Sequence, residues 1–171
     1  MENYVKAVLY AYPSLQRMKE AYAQHIRTKA MLSCEGRMDT ERLTEYLLEE
    51  ILQKRRLEWL KDTLEAVLNR LTDLERALIE VAFFNKREKM KLVLKGDLQR
   101  TLDMKSWSNR TRFRFLKKAV EKVKALLWAQ GLTKERFEKE FLHIEMMRKI
   151  YRRLLRAAAK AQHASCYSSI S

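Results

Sequence analysis

The chain has 171 residues, of which only three are Gly and one is Pro, and its formal net charge is +14. These Gly and Pro contents lie far below the usual shares of about 7% and 5%, which argues against a turn-rich β fold and favours long helices. No apolar run approaches the roughly 18 residues of a membrane span, and no basic flank precedes an apolar stretch at the N-terminus. We therefore expect a cytoplasmic, soluble protein with no membrane partner, and the isolated Cys34 and Cys166 fit a reducing compartment.

The positive charge is unevenly distributed. Residues 1–85 carry a net charge of −1, residues 86–124 a net charge of +10, and residues 125–171 a net charge of +5. Such a concentration of Lys and Arg is typical of a protein with a polyanionic partner. On charge alone, a solvated basic face that only keeps the protein soluble is the alternative.

The first 70 residues predict two long helices. Apolar residues recur at three- and four-residue spacing through residues 2–33, with a break expected near Pro13 because Pro is not tolerated deep inside a helix. A turn at 33–39 follows, and Thr40 or the residue before it can cap a second helix that extends to about Asn69.

We expect these two helices to form an antiparallel hairpin, domain 1–70. Its seam consists of the apolar residues Leu43, Leu47, Ile51, Leu60, Leu64, Val67 and Leu71. An open alternative is that part of the seam contacts a second copy or another protein, so that an oligomer forms through the hairpin.

The next segment begins with a capping box, Thr72 with Glu75, which predicts a helix from Asp73 to Phe84. Its core side chains are expected to be Leu74, Leu78, Ala82 and Phe83. Residues 85–106 show no clean periodicity, and they fit either a loop with a short helix at 98–104 or a small hairpin.

Ser108 predicts the cap of a helix from Asn109 to about Gln130, which Gly131 ends. A buried stripe is expected along it from Phe113, Leu116, Val120, Val123 and Leu127. A single further helix, domain 132–160, should begin at Thr133, and the Ala- and Ser-rich residues 161–171 read as a disordered tail.

The helix from Asn109 separates an apolar stripe from a basic face. Its first turns are rich in Arg, Asn and Thr, as in a recognition helix that contacts base edges in the major groove while later Lys and Arg contact phosphates. A core helix with a solvated basic face is the alternative. The side chains that we expect to contact nucleic acid are Asn109, Arg110, Thr111, Arg112, Arg114, Lys117 and Lys118.

Two segments resemble region four of bacterial sigma factors. The run LTDLERALIEVAFF is similar to the opening helix of that region, and WSNRTRFRFLKKAVEKV is similar to its recognition helix. Related arrangements occur in phage late-transcription activators and in sigma-like proteins of Gram-positive bacteria. The resemblance covers roughly residues 70–128, and it departs from the family at 85–106, where sigma factors have a short turn and a positioning helix. It implies a helix-turn-helix module, 71–131, that contacts promoter DNA and RNA polymerase.

These observations predict an all-α, non-enzymatic DNA-binding transcription regulator or sigma-like factor whose main partner is double-stranded DNA. One alternative is an interaction module that keeps the sigma-like fold and binds RNA polymerase or another acidic protein. Another is RNA, and an exposed aromatic ring beside the basic face, with Trp107 the candidate, would favour single strands through stacking. No cofactor or metal is expected, because His25, His143 and His163 lack metal-ligand spacing and no phosphate loop or nucleophile motif occurs.

Overall fold

The computed structural model describes residues 2–33, 40–84 and 107–167, with side chains for 2–31, 40–84 and 107–160. Across those ranges it contains helices and no strand, which confirms the all-α prediction. The predicted turn at 33–39, except for Ser33, which ends α1, and the two alternatives for 85–106 lie outside the described residues. None of the helices described is long and apolar enough to cross a membrane. In chain order they are α1 (Asn3–Ser33), α2 (Thr40–Leu68), α3 (Asp73–Phe83), α4 (Asn109–Ala129), α5 (Lys134–Phe141) and α6 (Glu145–Tyr167).

The chain divides into two compact units that cut across the long helices. The first unit comprises residues 1–11 and 66–171, and the second comprises residues 12–65. The first turns of α1 therefore group with the C-terminal part of the chain, whereas the predicted domain that contained them was 1–70. Ring contacts explain this grouping, since Tyr4 lies 6.1 Å from Phe137 and Tyr10 lies 4.9 Å from Phe83 between ring centroids.

Helix α1 continues through Pro13, so the predicted break is wrong. An internal Pro removes one backbone hydrogen bond and crowds the preceding turn, at about 3 kcal/mol. Buried side chains on either side outweigh this penalty: Leu9 is fully buried in the first unit, and Leu15 is 1% exposed in the second. Periodicity alone could not show that this packing would hold the helix together.

In the second unit, α1 and α2 contact each other through a polar cluster around His25. The His25 Nδ1 atom lies 3.3 Å from Glu50 Oε2, and the imidazole ring meets Tyr46 edge-on at 5.8 Å. The Lys29 ammonium lies over the same Tyr46 ring at 5.7 Å. The apolar contacts of the unit bury Leu15, Leu43, Leu57, Leu60 and Leu64. Of the predicted seam within this unit, Leu47 and Ile51 are only partly buried.

Leu64→Asp tests the apolar contact of the second unit. Leu64 is fully buried, and an unpaired carboxylate at that position should lower the free energy of unfolding by more than about 3 kcal/mol. Leu52→Asp is the matched control, because Leu52 is 50% exposed. Urea unfolding at low micromolar concentration should separate the two variants clearly, and equal midpoints would contradict the burial of Leu64.

The core of the first unit lies where α3 packs against α4. Helix α3 contributes Leu78, Ile79 and Phe83, all at most 6% exposed. Helix α4 buries Ala119, Val120, Val123 and Leu127. An aromatic cluster adds to this core, because the Phe137 ring contacts Phe141 at 6.0 Å and Tyr151 at 5.4 Å.

The capping box of α3 is confirmed. The Glu75 N–H donates to Thr72 Oγ1 at 3.4 Å, and the Thr72 N–H donates to Glu75 Oε2 at 2.9 Å. These two bonds satisfy two of the amides that a helix start leaves without partners. The helix ends at Phe83 and Phe84 is its C-cap, so the predicted end at Phe84 is one residue late.

Gly131 ends the α4 segment as predicted, in a Schellman turn. The Gly131 N–H donates to the Trp128 carbonyl and the Leu132 N–H to the Leu127 carbonyl, both at 2.9 Å. Gly131 has φ +82°, the left-handed conformation that lets the chain leave the helix while both bonds form. Leu127 and Leu132 are both fully buried beside this turn.

Gly131→Ala should lower the free energy of unfolding by about 1 to 2 kcal/mol, because a side chain in the left-handed region is strained. A Cβ atom at this position would also lie 3.3 Å from the Arg136 guanidinium. Gly131→Asn is the control, since Asn tolerates that conformation and should lose less. Thermal melts of the three proteins measure the difference, and an Ala variant as stable as the parent would exclude strain at this turn.

The C-terminal segment forms two helices where the sequence predicted one. Helix α5 ends at Phe141 and α6 begins at Glu145, with a tight turn in which the Ile144 N–H donates to the Phe141 carbonyl at 3.1 Å. The turn lets Phe141, Ile144 and Met147 all reach the core, and this tertiary gain outweighs helix continuity. Helix α6 then extends to Tyr167 rather than ending near 160, since its last turns are rich in Ala, the best helix former.

Candidate nucleic-acid interface

The first unit carries the whole charge excess. The second unit, residues 12–65, contains ten basic and ten acidic residues, so its net charge is zero. The net charge of +14 therefore belongs to residues 1–11 and 66–171. Any attraction of this chain to a polyanion has its source in the unit that contains α4.

Helix α4 begins at a side-chain cap. The Thr111 N–H donates to Ser108 Oγ at 3.2 Å, and the two hydroxyl oxygens lie 3.0 Å apart. The cap confirms the predicted start of the helix at Asn109. It also commits Thr111 to the protein, because both its amide and its hydroxyl are used in the cap.

Two ion pairs fix the orientation of α4 within its unit. The Lys122 ammonium donates to Glu75 Oε2 at 2.7 Å, so the residue that closes the α3 capping box also binds α4. Lys124 pairs with Glu2 at the start of α1. Partial burial by itself raises the pKa of Glu75, but the hydrogen bonds from Lys122 and Thr72 outweigh it, and the net pKa is lowered from 4.5.

Four of the other five cations of α4 lie on its solvent-exposed side. Arg110, Arg114 and Lys117 fall within about 60° of arc at 100° per residue, with Lys118 at the edge. All four are exposed, as is Asn109. Among the described residues, none forms an ion pair with Arg110, Lys117 or Lys118. The structure thus brings five of the seven predicted contact residues to the solvent.

Arg112 and Thr111 do not join this face. Arg112 lies about 160° around the helix from Arg114, is half-buried, and has an interaction of its own within the protein. Its position follows from the helical period, because residues that are two apart point in nearly opposite directions. Arg112 therefore belongs to the side of α4 that faces the protein.

Phe113 is exposed, which contradicts its predicted place in the buried stripe. Its side chain is 59% exposed, whereas Ala119 on the inward side is fully buried. Phe113 stands beside the outward cations, three residues from Arg110 and four from Lys117, the spacing of helical neighbours. Trp128 is a second exposed aromatic on α4, at 67%. The predicted buried stripe therefore does not include Phe113 in the first turns of α4.

Trp107 is not the free aromatic surface that the sequence suggested. Its ring stacks on Phe115 with centroids 4.9 Å apart and an interplanar angle of 27°. The Arg114 guanidinium lies over the Phe115 ring at 5.4 Å. Trp107 and Phe115 are both half-buried, so these rings pack at the start of α4, and Phe115 also contacts the Arg114 guanidinium.

Electrostatics at the start of α4 are unfavourable without a ligand. The first turn holds no acidic residue, and Arg110 and Arg112 stand where the helix dipole favours negative charge. Each such charge typically costs about 0.3 to 1 kcal/mol at a helix end. An anion bound at the exposed amides and guanidinium groups would offset this cost.

A second basic row lies on α6, outside the contact residues predicted from the sequence. Arg148, Arg152 and Arg156 recur every four residues and are all exposed. Arg153 and Lys160 add to the row, and Glu145, which pairs with Lys149 at 2.6 Å, is the only acidic residue of the described helix. The signal in the sequence was this spacing of Arg in a segment free of Asp and Glu.

One cavity of about 480 Å³ opens elsewhere in the first unit, lined by Glu2, Asn3, Tyr4, Lys134, Glu135, Tyr151 and Leu155. Burial and a 2.8 Å hydrogen bond to Glu138 raise the pKa of Tyr151 to about 12. The Tyr151 hydroxyl therefore donates its hydrogen bond to the Glu138 carboxylate. In the part of the chain that the structure describes, no three His, Cys, Asp or Glu side chains are grouped to hold a metal ion.

Glu75→Gln should reveal the link between α3 and α4 as a pH-dependent loss of stability. Because folding lowers the pKa of Glu75 from 4.5, its ionised form stabilises the fold above about pH 4.5, and this contribution is lost as the pH falls through the folded pKa. The variant should be about 1 kcal/mol less stable than the parent at pH 7. The gap should narrow as the pH falls below about 4.5, as thermal melts between pH 7 and pH 3 would measure. A gap that is the same at both pH values would contradict the ion pair.

Comparisons with protein-family models, with curated proteins and with solved structures found no match to this chain. The geometry and charge of α4 and the resemblance of its sequence to region four of sigma factors are therefore the features that point to a function.

Proposed function

We propose that this protein binds double-stranded DNA through the exposed face of α4 and acts as a transcription regulator or sigma-like factor. The observation that carries the proposal is the division of α4 into two sides. One side is packed on α3 and held by the Lys122–Glu75 ion pair. The other presents Arg110, Arg114, Lys117 and Lys118 to solvent.

The proposal assigns a different role to each outward residue. Arg110 and Arg114 lie in the first turns, where a recognition helix reaches base edges, and Arg is the side chain that pairs with guanine through two hydrogen bonds. Lys117 and Lys118 lie one turn later and would contact phosphates. Phe113 lies beside Arg110 and Lys117 and suits contact with a thymine methyl group.

The sequence resemblance to region four of bacterial sigma factors supports the transcriptional part of the proposal. The two segments that resemble region four of sigma factors correspond to α3 and α4, which pack against each other in the first unit. RNA polymerase is the further partner that the resemblance implies. A duplex containing the preferred site would be found by selection from random sequences.

Salt-dependent binding tests the role of α4. Lys117→Ala/Lys118→Ala should make the slope of log affinity against log salt shallower by about 2, because each phosphate contact contributes about 0.9 to the slope. This double variant should also weaken binding to all duplex sequences alike, because phosphates are the same in every sequence. Arg110→Ala or Arg114→Ala should instead weaken binding to the selected duplex by about 1 to 3 kcal/mol and reduce the preference over random duplex. Fluorescence anisotropy between 50 and 300 mM KCl measures both effects.

Arg152→Ala/Arg156→Ala is the matched control, since it removes two exposed positive charges from α6 of the same unit. If this pair reduces the slope as much as the α4 pair does, binding depends on total charge rather than on α4. The absence of duplex binding at 50 mM KCl would overturn the proposal.

Single-stranded nucleic acid is the second candidate, and the exposed aromatics favour it. Phe113 is 59% exposed among cations and Trp128 is 67% exposed on the same helix. Stacking of one base on an aromatic ring contributes about 1 to 3 kcal/mol. Phe113→Leu should therefore weaken binding to a single strand at least about fivefold and leave duplex binding nearly unchanged if this candidate is correct, with oligonucleotides of DNA and RNA compared in parallel.

A further inference from the structure

One face of α2 in the second unit presents two exposed leucines between an acidic and a basic residue. Leu48 is 56% exposed and Leu52 is 50% exposed. Glu45 and Arg55 flank them and are also exposed. The four side chains lie within about 80° of arc at 100° per residue. Among the described residues, neither Glu45 nor Arg55 has an ion-pair partner.

The order of these four residues is self-complementary. Their spacings along the helix are three, four and three residues, which read the same in both directions. A two-fold axis perpendicular to α2 beside position 50 therefore places Leu48 opposite Leu52 of a second copy. The same axis places Glu45 opposite Arg55 of that copy. Self-complementarity about a two-fold axis is the requirement for a symmetric dimer contact.

We propose that this face of α2 binds the same face of a second copy in antiparallel orientation, forming a homodimer. Each dimer contains two Glu45–Arg55 pairs that flank four leucines. A parallel pairing would instead set Glu45 against Glu45 and Arg55 against Arg55, which repel each other. The charge pattern thus favours both a second copy as the partner and the antiparallel direction.

Two further observations fit a second copy. The second unit has no net charge, so the charge excess of the chain lies outside the unit that carries this face. A contact limited to one face of a helix lies at or below the low end of the roughly 1,200 to 2,000 Å² that stable interfaces bury. The dimer is therefore weak and depends on concentration.

Sedimentation equilibrium of the full chain, without nucleic acid and from about 2 to 200 µM, tests the proposal. The parent should shift from monomer to dimer across this range. Glu45→Arg or Arg55→Glu alone should raise the dissociation constant at least about tenfold, because each creates two like-charge contacts in the dimer. The double variant Glu45→Arg/Arg55→Glu should return to within about threefold of the parent, because the opposite-charge pairs are restored with reversed sign.

Arg27→Glu is the control, since Arg27 is exposed on α1 and the charge change equals that of Arg55→Glu. It should leave the dissociation constant unchanged. Circular dichroism verifies that each variant folds, and Glu45→Gln with Arg55→Gln is a milder pair that removes charge without reversing it. A parent that is monomeric at 200 µM overturns the proposal. A double variant that dimerises no better than the single variants also overturns it, because the two-fold register would then be wrong.

Discussion

Packing of α3 against α4 decides which side chains of α4 the solvent can reach. The apolar side chains of both helices bring them together, and the Lys122–Glu75 ion pair fixes the rotation of α4 about its own axis. Because Glu75 also closes the capping box of α3, one carboxylate orders the start of one helix and the orientation of the next. The exposed positions of Arg110, Arg114 and Lys117 follow from this arrangement.

Features that depend on a few neighbouring residues were predictable from the sequence. The capping box at Thr72, the Ser108 cap and the left-handed Gly131 each follow from local hydrogen bonding, which a short sequence encodes. The all-helical class was also predictable, because Gly and Pro are scarce in the whole chain. For the candidate site, the sequence also predicted the basic face of α4 and Asn109 as the first residue of that helix.

Features that depend on tertiary contacts were not predictable. The exposure of Phe113 reflects where α3 lies beside α4, which no periodicity of α4 alone can reveal. The turn at Phe141–Ile144 forms because aromatic and aliphatic groups from two directions reach one core. Helix α1 persists through Pro13 for the related reason that packing on either side exceeds a local backbone penalty. In each case long-range packing outweighed a local preference.

If α4 binds a polyanion as proposed, the absence of acidic residues in its first turn couples folding to that binding thermodynamically. The unoccupied helix keeps unfavourable charge at its positive end, and a bound polyanion removes that penalty only in the folded state. The first unit should accordingly be most resistant to unfolding when it is occupied. The resistance of the occupied unit should decrease with added salt, because salt releases the polyanion. A chain built in this way is least stable when it has no ligand, so its turnover in a cell would depend on how often it is bound.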